Sequence, residues 1–502
     1  MAGLVPRSYE DFRGGVNKRD APIGLAPNEL IASENMEPSN GGVWIQGRAG
    51  QTNYNATAID TNAIKSLHRF YRQNVTGILI ATSGTKIYKG NDGPGTFTDI
   101  SDVAFTTGKK FTFAGWSAKD KVYMTNGVEV LRSWDGVAAT TAIVGGSPPV
   151  ASFVEFHQDR LWLLQDNLAY FSDLNVDNVW PGASALNVAD SKGGVGKFIK
   201  GLGQVLVIGK DSGLFRFQGS PKLGGELRRY SDIPCIAAYT ADTSDFGVIF
   251  LGPDGIYVTD GFSVEKISPN LNPLFTDLFR TSVGKYWPKK KQYWFSYSTS
   301  GGTNDQLWVG THIKTPEGNA VAWHQYLGFK AECFAVLNGG SDKGELYYGR
   351  GDDGKVRKTD TTAQDVGTDY TCKFQIRHED FGDARVNKQL RWMKAVFDSV
   401  KAVTYAVDYS FGEATGGGGA IAARNQSGTL IWGSGNWGEK LWGGPVTSNR
   451  RTSVLDLKYG RYLSAAFQNT GDGAAFKFYG LILEARVKDL RAYEPFSLAS
   501  SA

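Results

Sequence analysis

The sequence predicts an all-β chain: an irregular β-propeller of about seven blades, then an antiparallel β-sandwich, with an extended N-terminal arm in front. Three observations carry this. An aliphatic residue followed by an aromatic recurs at Ile87-Tyr88, Val122-Tyr123, Leu161-Trp162, Leu214-Phe215, Ile256-Tyr257, Leu307-Trp308 and Leu346-Tyr347. Measured between aromatics the steps are 35, 39, 53, 42, 51 and 39 residues, close to the ~40–50-residue period of propeller blades. Glycine supplies 63 of 502 residues, nearly twice the ~7% of average usage, which suits many short strands and tight turns. Runs at helical period are scarce.

Aliphatic-aromatic pairs occur by chance in any β-rich chain, so the turns near them matter. Thr125-Asn126-Gly127, Gln165-Asp166-Asn167, Thr259-Asp260-Gly261 and Asp352-Asp353-Gly354 are sequences that accept φ > 0 and close antiparallel hairpins. The uneven steps and the single Trp-Asp pair, Trp134-Asp135, argue against WD40 and kelch arrays. The long steps of 53 and 51 leave room for an eighth, degenerate blade.

Residues 1–55 read as the arm. Gly14-Gly15, Pro22, Pro27, Pro38 and Gly41-Gly42 interrupt it too often for long elements. Asn28 to Met36 is compatible with one short helix and Val43-Trp44-Ile45 with a strand. Leu4-Val5-Pro6-Arg7-Ser8 is close to a thrombin tag site but lacks the Gly before Ser, and is read as native. Residues 56–366 hold the array. The first blade contains Leu67 to Tyr71, Gly77 to Ala81 and Lys86 to Lys89. The second contains Phe111 to Trp116, Val122 to Met124 and Val128 to Leu131, and the third Phe153 to Phe156, Leu161 to Leu164 and Leu168 to Phe171. Residues 367–490 form the sandwich, with strands expected over Thr371 to Glu379, Arg391 to Asp398, Val403 to Phe411, Arg461 to Phe467 and Ala475 to Val487. Val403, Tyr405, Val407 and Tyr409 alternate with period two. Residues 491–502 read as a tail.

Composition narrows the function. A chain of this length exceeds one core, which stops growing near ~250–300 residues; radial repetition avoids that limit. Net charge is +4, without the basic excess of a dedicated nucleic-acid binder. Cys235, Cys333 and Cys372 are few, odd in number and far apart, so no disulfide framework or metal spacing emerges and a reducing cytosol is the expected site of synthesis. No secretory leader and no run of ~18 apolar residues is present, so no membrane span is expected.

No chemistry-bearing motif survives its context. Lys192-Gly193-Gly194-Val195-Gly196-Lys197 resembles a phosphate loop, but Phe198 stands where the magnesium-binding Ser or Thr belongs and a strand-like run follows. A glycine-rich turn between blades is the better reading. His68, His157, His312, His324 and His378 have no metal-ligand spacing. No Gly-x-Ser-x-Gly elbow and no sialidase-type Asp box occurs. The reading is therefore non-enzymatic, with no catalytic, metal or cofactor residue assigned. Lys289-Lys290-Lys291 beside Trp287, Tyr293 and Trp294 fits either a nucleic-acid contact by charge and stacking or a solvated turn, which is the commoner reason for such a run. Trp432, Trp437 and Trp442 recur every five residues in a glycine-rich run from Ile431 to Gly444. They suit a sugar-stacking platform or, better, an arm anchored by its indoles.

Several stretches together resemble proteins of tailed bacteriophages. They are Asp11-Phe12-Arg13-Gly14-Gly15-Val16-Asn17, Asn28-Glu29-Leu30, Gly41 to Gly50, His68-Arg69-Phe70-Tyr71 and Leu79 to Tyr88, with Phe381-Gly382, Lys388, Arg391-Trp392, the Trp-Gly run and Gly480 to Glu484 near the C-terminus. The family resembled is the β-propeller tail hub or nozzle of short-tailed phages. That resemblance implies a structural virion protein, made in the host cytoplasm. It implies a homohexameric tube below the portal and adaptor (head-tail connector) ring, through which genomic DNA leaves without sequence-specific contact. This chain lacks the large inserted domains of longer nozzles, which weakens the implication of attached tail fibres or spikes. Phe12, Trp44, Trp432, Trp437 and Trp442 are the residues expected to contact a partner or neighbouring subunit. The rival expectation is a receptor- or glycan-binding propeller, with aromatic and acidic residues converging on one face. A glycoside hydrolase is a more distant alternative.

Overall fold

The computed structural model describes residues 4–39, 43–73, 77–90, 95–181, 185–189, 191–275, 281–315, 318–337, 344–399, 401–410, 418–421, 448–453 and 459–487. The chain divides into two units, one of residues 51–362 and one combining residues 1–50 with 363–502.

The first unit is a seven-bladed β-propeller. Each blade has four antiparallel strands. First strands are Ile64–Phe70, Thr112–Trp116, Phe153–His157, Gly196–Leu202, Ala237–Ser244, Val283–Trp287 and Ala331–Leu337, so successive blades begin 41 to 48 residues apart. These strands touch one another in order, and the seventh touches the first, so they surround the axis. Four of them are irregular against their second strand, at Ile64/Ser66, Gly196/Phe198, Ala237/Asp242 and Ala331/Cys333. Such bulges add the local twist that crowding round an axis requires.

Blades pack face to face through apolar side chains. Between the third and fourth blades Trp162, Leu164 and Phe171 meet Ile199, Leu206 and Phe217. Between the seventh and first, Ala335 and Tyr347 meet Ile64 and Leu79. Every aliphatic-aromatic dipeptide lies on the second or third strand of its blade, one per blade. It is on the second strand in blades two, three and seven, and on the third in blades one, four, five and six. The step of 53 is thus a change of strand, and among the described residues the blades number seven. The step of 51 reflects the long connection from Lys266 to Val283.

Along the axis the first strands, with Lys110 just ahead of Thr112–Trp116, set opposite charges against each other. Glu332 lies 3.3 Å from Lys65 and 3.6 Å from Lys110. Lys285 is 2.9 Å from Asp242 and Lys200 3.7 Å from Glu155. His68 stacks flat on Phe113 at 4.9 Å.

The second unit is a β-sandwich, and the residues read as an arm supply strands to both its sheets. One sheet runs Ser448–Ser453, Lys388–Asp398, Lys477–Val487, Ile45–Gly47, Met36–Pro38, and Leu4–Tyr9 also pairs with Lys477–Val487. The other contains Glu29–Glu34, Thr371–Ile376, Tyr462–Thr470, Val403–Ser410 and Gly418–Ile421, with Gly15–Val16 parallel to Glu29–Glu34. The helix expected over Asn28 to Met36 is therefore a strand. Asn35 has φ 55°, which ends any helix there, and its side chain donates to the carbonyl of Thr371. Phe374 stacks on its cross-strand partner Phe467 at a ring separation of 5.4 Å and meets Phe478 of the other sheet at 4.7 Å.

His324 is buried at 1% exposure on the outer strand of blade six, Gly318–Tyr326. Burial pushes its imidazole down to about 3, from an ordinary value of 6.5. Between those values the unfolded chain carries the proton and the folded chain does not, so stability falls as pH falls from 6.5 towards 3. One such group contributes about 1.4 kcal/mol per pH unit. In His324→Gln, whatever its absolute stability, the loss between pH 6.5 and 5 should be shallower by about that slope. Urea melts at several pH values measure it, and an unchanged slope would refute the assignment.

Candidate functional site

The fifth and sixth blades enclose a cleft of about 260 Å³, near the lower end of the ~300–1,000 Å³ range of ligand pockets. Its wall begins at a two-residue turn, Asp245-Phe246, between Ala237–Ser244 and Gly247–Leu251. Gly247 makes the turn possible: φ is 134°, and a Cβ there would sit 2.2 Å from the carbonyl oxygen of Thr259. The turn leaves Phe246 37% exposed. Its ring stacks on His312 of the sixth blade at 3.7 Å and 13°. Tyr286 meets Phe246 edge-on at 6.3 Å and donates to Asp245 at 2.9 Å. Tyr293 donates to the carbonyl of Thr240 at 2.7 Å. Ile249, Val258 and Val321 form apolar floor, and Glu265 and Lys291 also line the cleft and are exposed.

Both tyrosines are held protonated. Burial comes first, and the carboxylates of Asp245 at Tyr286 and Asp242 at Tyr293 add to it. Each hydroxyl already donates within the protein and keeps only acceptor capacity. Among the described lining residues Glu265 is the carboxylate, and the adjoining Asp245 accepts from Tyr286. The arrangement suits holding a flat or apolar group against aromatic faces, with one anion and one ammonium available to orient it.

The expected contact residues lie elsewhere. Phe12 is 1% exposed and packs edge-on against Phe374 and Phe478 at 5.9 Å. It is a core residue of the sandwich, enclosed because its strand-flanking segment lies between the two sheets, and it offers no surface. Trp44 is half-buried against Tyr479 at 5.5 Å. Trp432, Trp437 and Trp442 lie outside the described residues. Lysines 289–291 occupy the turn between Val283–Trp287 and Gln292–Tyr297, with Lys290 2.8 Å from Asp360. Lys291 and Tyr293 of that region line the cleft, which is the one trace of it that the sequence displayed.

The phosphate-loop look-alike connects the third and fourth blades. Gly193 and Gly194 adopt φ 67° and 86°. The N–H of Val195 donates to Asp211 at 2.7 Å, and Lys197 stands 3.7 Å from the same carboxylate. The anion this loop holds is the chain's own. The three cysteines are buried free thiols, and burial pushes each up to about 12.

No protein-family model and no curated protein matches the chain. Among solved structures it is similar to YCF48 from Cyanidioschyzon merolae, with 11% identity and a TM-score of 0.41 over 62% of this chain and 98% of that one. It is also similar to YCF48 bound to D1 peptide, with 10% identity and a TM-score of 0.40 over 65% and 98%. At this distance neither likeness bears on function.

Gly247→Ala should cost about 1–3 kcal/mol through backbone strain and displace Phe246. Gly115→Ala, with no atom within 4 Å of its Cβ, should stay within about 0.5 kcal/mol of the parent. Urea midpoints of the two variants provide the check.

Proposed function

We propose that this chain is a structural virion protein of a bacteriophage tail, in the hub or nozzle position. Several copies, six by the family's pattern, stand side by side as a tube below the adaptor ring, and genomic DNA passes between them. The likeness of residues 11–17, 41–50 and 79–88 to that family is the first support. The structural observation that carries the reading is the charged lining of the propeller axis. The Lys65, Lys110 and Glu332 cluster, the Lys285–Asp242 pair and the Lys200–Glu155 pair line it. Such a propeller acts as a wall element, and any passage for DNA would be formed by the assembly. A near-balanced net charge of +4 fits a lumen that does not retard DNA, because each phosphate contact adds to binding. In this reading the protein performs no chemical step, and fibres or spikes are further neighbours.

The cleft between blades five and six supports a second reading, a receptor- or glycan-binding propeller of the tail tip. Phe246, Tyr286 and Tyr293 converge there with Glu265, as that reading expects.

Electron microscopy of the purified full chain, with mass measured in solution, separates the two. The hub reading expects closed rings with a central opening. Single copies at high concentration, combined with saturable polysaccharide binding that Phe246→Ala abolishes, would overturn it in favour of the second.

A further inference from the structure

The cleft between the fifth and sixth blades is apolar within and charged at its rim, and strand pairing sets that gradient. Val258 and Glu265 are cross-strand partners on the third and fourth strands of blade five, and both face the cleft. Lys266, the next residue, turns the other way and meets Asp254 at 2.7 Å. Tyr286 and Tyr293 are partners on the first two strands of blade six, and Gly310 lies opposite Tyr293 on the third. The turn joining the first two strands carries Lys291 at φ 52°. Ile249, Val258, Ile267 and Val321 are buried or half-buried, whereas Glu265 and Lys291 are exposed.

The two rim charges have no partner. Lys289 and Lys290 of the same turn lie against Asp360, at 4.0 and 2.8 Å. Among the described residues no carboxylate answers Lys291 and no cation answers Glu265. They do not pair with each other, although both line one cleft of about 260 Å³. Water therefore solvates both, and a guest that covers them must replace that water at each. An apolar guest strands two charges, and a singly charged guest strands one. A sugar ring carries hydroxyls along most of its edge, and much of that edge would face Ile249, Val258, Ile267 and Val321, which offer no hydrogen bond. A molecule with an apolar body and both charges on its head leaves nothing unanswered, and its charge-assisted hydrogen bonds are of the strong kind. The exposed ring of Phe246, held by its stack on His312 at 3.7 Å, favours a flat body in offset or edge-on contact.

We propose that this cleft binds an apolar α-amino acid as its zwitterion, with Glu265 on the ammonium, Lys291 on the carboxylate and the side chain against Phe246. The inference rests on the cleft being a binding site, as the second reading has it, but names an occupant other than a glycan. It is independent of the tail reading.

Calorimetric titration of the full chain with L-phenylalanine at neutral pH tests it, beside phenethylamine, which lacks the carboxylate, and hydrocinnamate, which lacks the ammonium. Saturable binding of one equivalent of L-phenylalanine is expected, with each analogue weaker by at least about tenfold. Glu265→Gln and Lys291→Gln alter exposed side chains that hold no partner, and each should weaken L-phenylalanine by a similar factor. Glu265→Gln should also erase the preference over hydrocinnamate, and Lys291→Gln the preference over phenethylamine, because each pair of changes removes the same contact. Lys289→Gln, on the same turn but off the cleft, should leave binding unchanged. The proposal is overturned if L-phenylalanine does not bind, if either analogue binds the parent as tightly, or if Lys289→Gln weakens binding as much as Lys291→Gln. Polysaccharide binding that Phe246→Ala abolishes, without L-phenylalanine binding, overturns the proposal and keeps the second reading. L-phenylalanine binding without polysaccharide binding upholds the proposal and removes the glycan.

Discussion

A ring of blades stands only if its last sheet is completed from the other end of the chain, and here that rests on three residues. Gln51–Asn53 runs antiparallel to Val356–Thr359 as the fourth strand of the seventh blade, pairing Gln51 with Thr359 and Asn53 with Arg357. Contacts on either side reinforce it. Tyr348 donates to Gln51 Oε1, and the N–H of Val356 donates to Asn55 at 2.7 Å. The N–H of Tyr54 donates to the carbonyl of Val356 at 2.8 Å, and that of Ile59 to Gly354 at 2.9 Å. Without this strand Val356–Thr359 would be an open sheet edge, which invites pairing with other chains. The cost of closing so long a loop grows only slowly with its length, so a short strand suffices once the intervening blades are packed.

Closure also places seven inner strands around one axis, where backbone crowding and polar side chains must both be accommodated. The irregular pairings of four inner strands answer the first demand. Charge pairing answers the second. Half-buried pairs of this kind add little net stability, because desolvation offsets attraction, but removal of one partner is costly. Lys65 with Glu332, Asp242 with Lys285 and Glu155 with Lys200 each join the inner strands of neighbouring blades.

Much of this was legible in the sequence, and the failures have physical causes. The aliphatic-aromatic dipeptide marked every blade because a central strand packed on both faces needs such residues. It did not mark the same strand each time, since the second and third strands are equally enclosed, and its uneven spacing therefore misled. The fourth strands were missed. Phe97–Asp99, Ala142–Ile143, Ala185–Asn187 and Val264–Lys266 are two or three residues long and mostly exposed, too short to show a period. Leu30, Ile31 and Met36 fit helical spacing because an irregular pairing between Leu30 and Ala32 shifts the strand's alternation. Beyond Lys291 and Tyr293 the cleft was not legible: Phe246, Tyr286 and His312 come from two blades and only the fold unites them. Phe12 illustrates the opposite error, since an aromatic in a glycine-punctuated segment resembles a surface anchor until two sheets enclose it.

The account depends most on the completed seventh blade, and hydrogen exchange of the native full chain measures that directly. If Gln51–Asn53 closes the ring, any Arg357–Thr359 amides aimed across that seam are protected as strongly as those of Leu168–Phe171, a third strand covered on both sides within its own blade. Exchange throughout Arg357–Thr359 at the rate of an unpaired edge, with Leu168–Phe171 still protected, would contradict it.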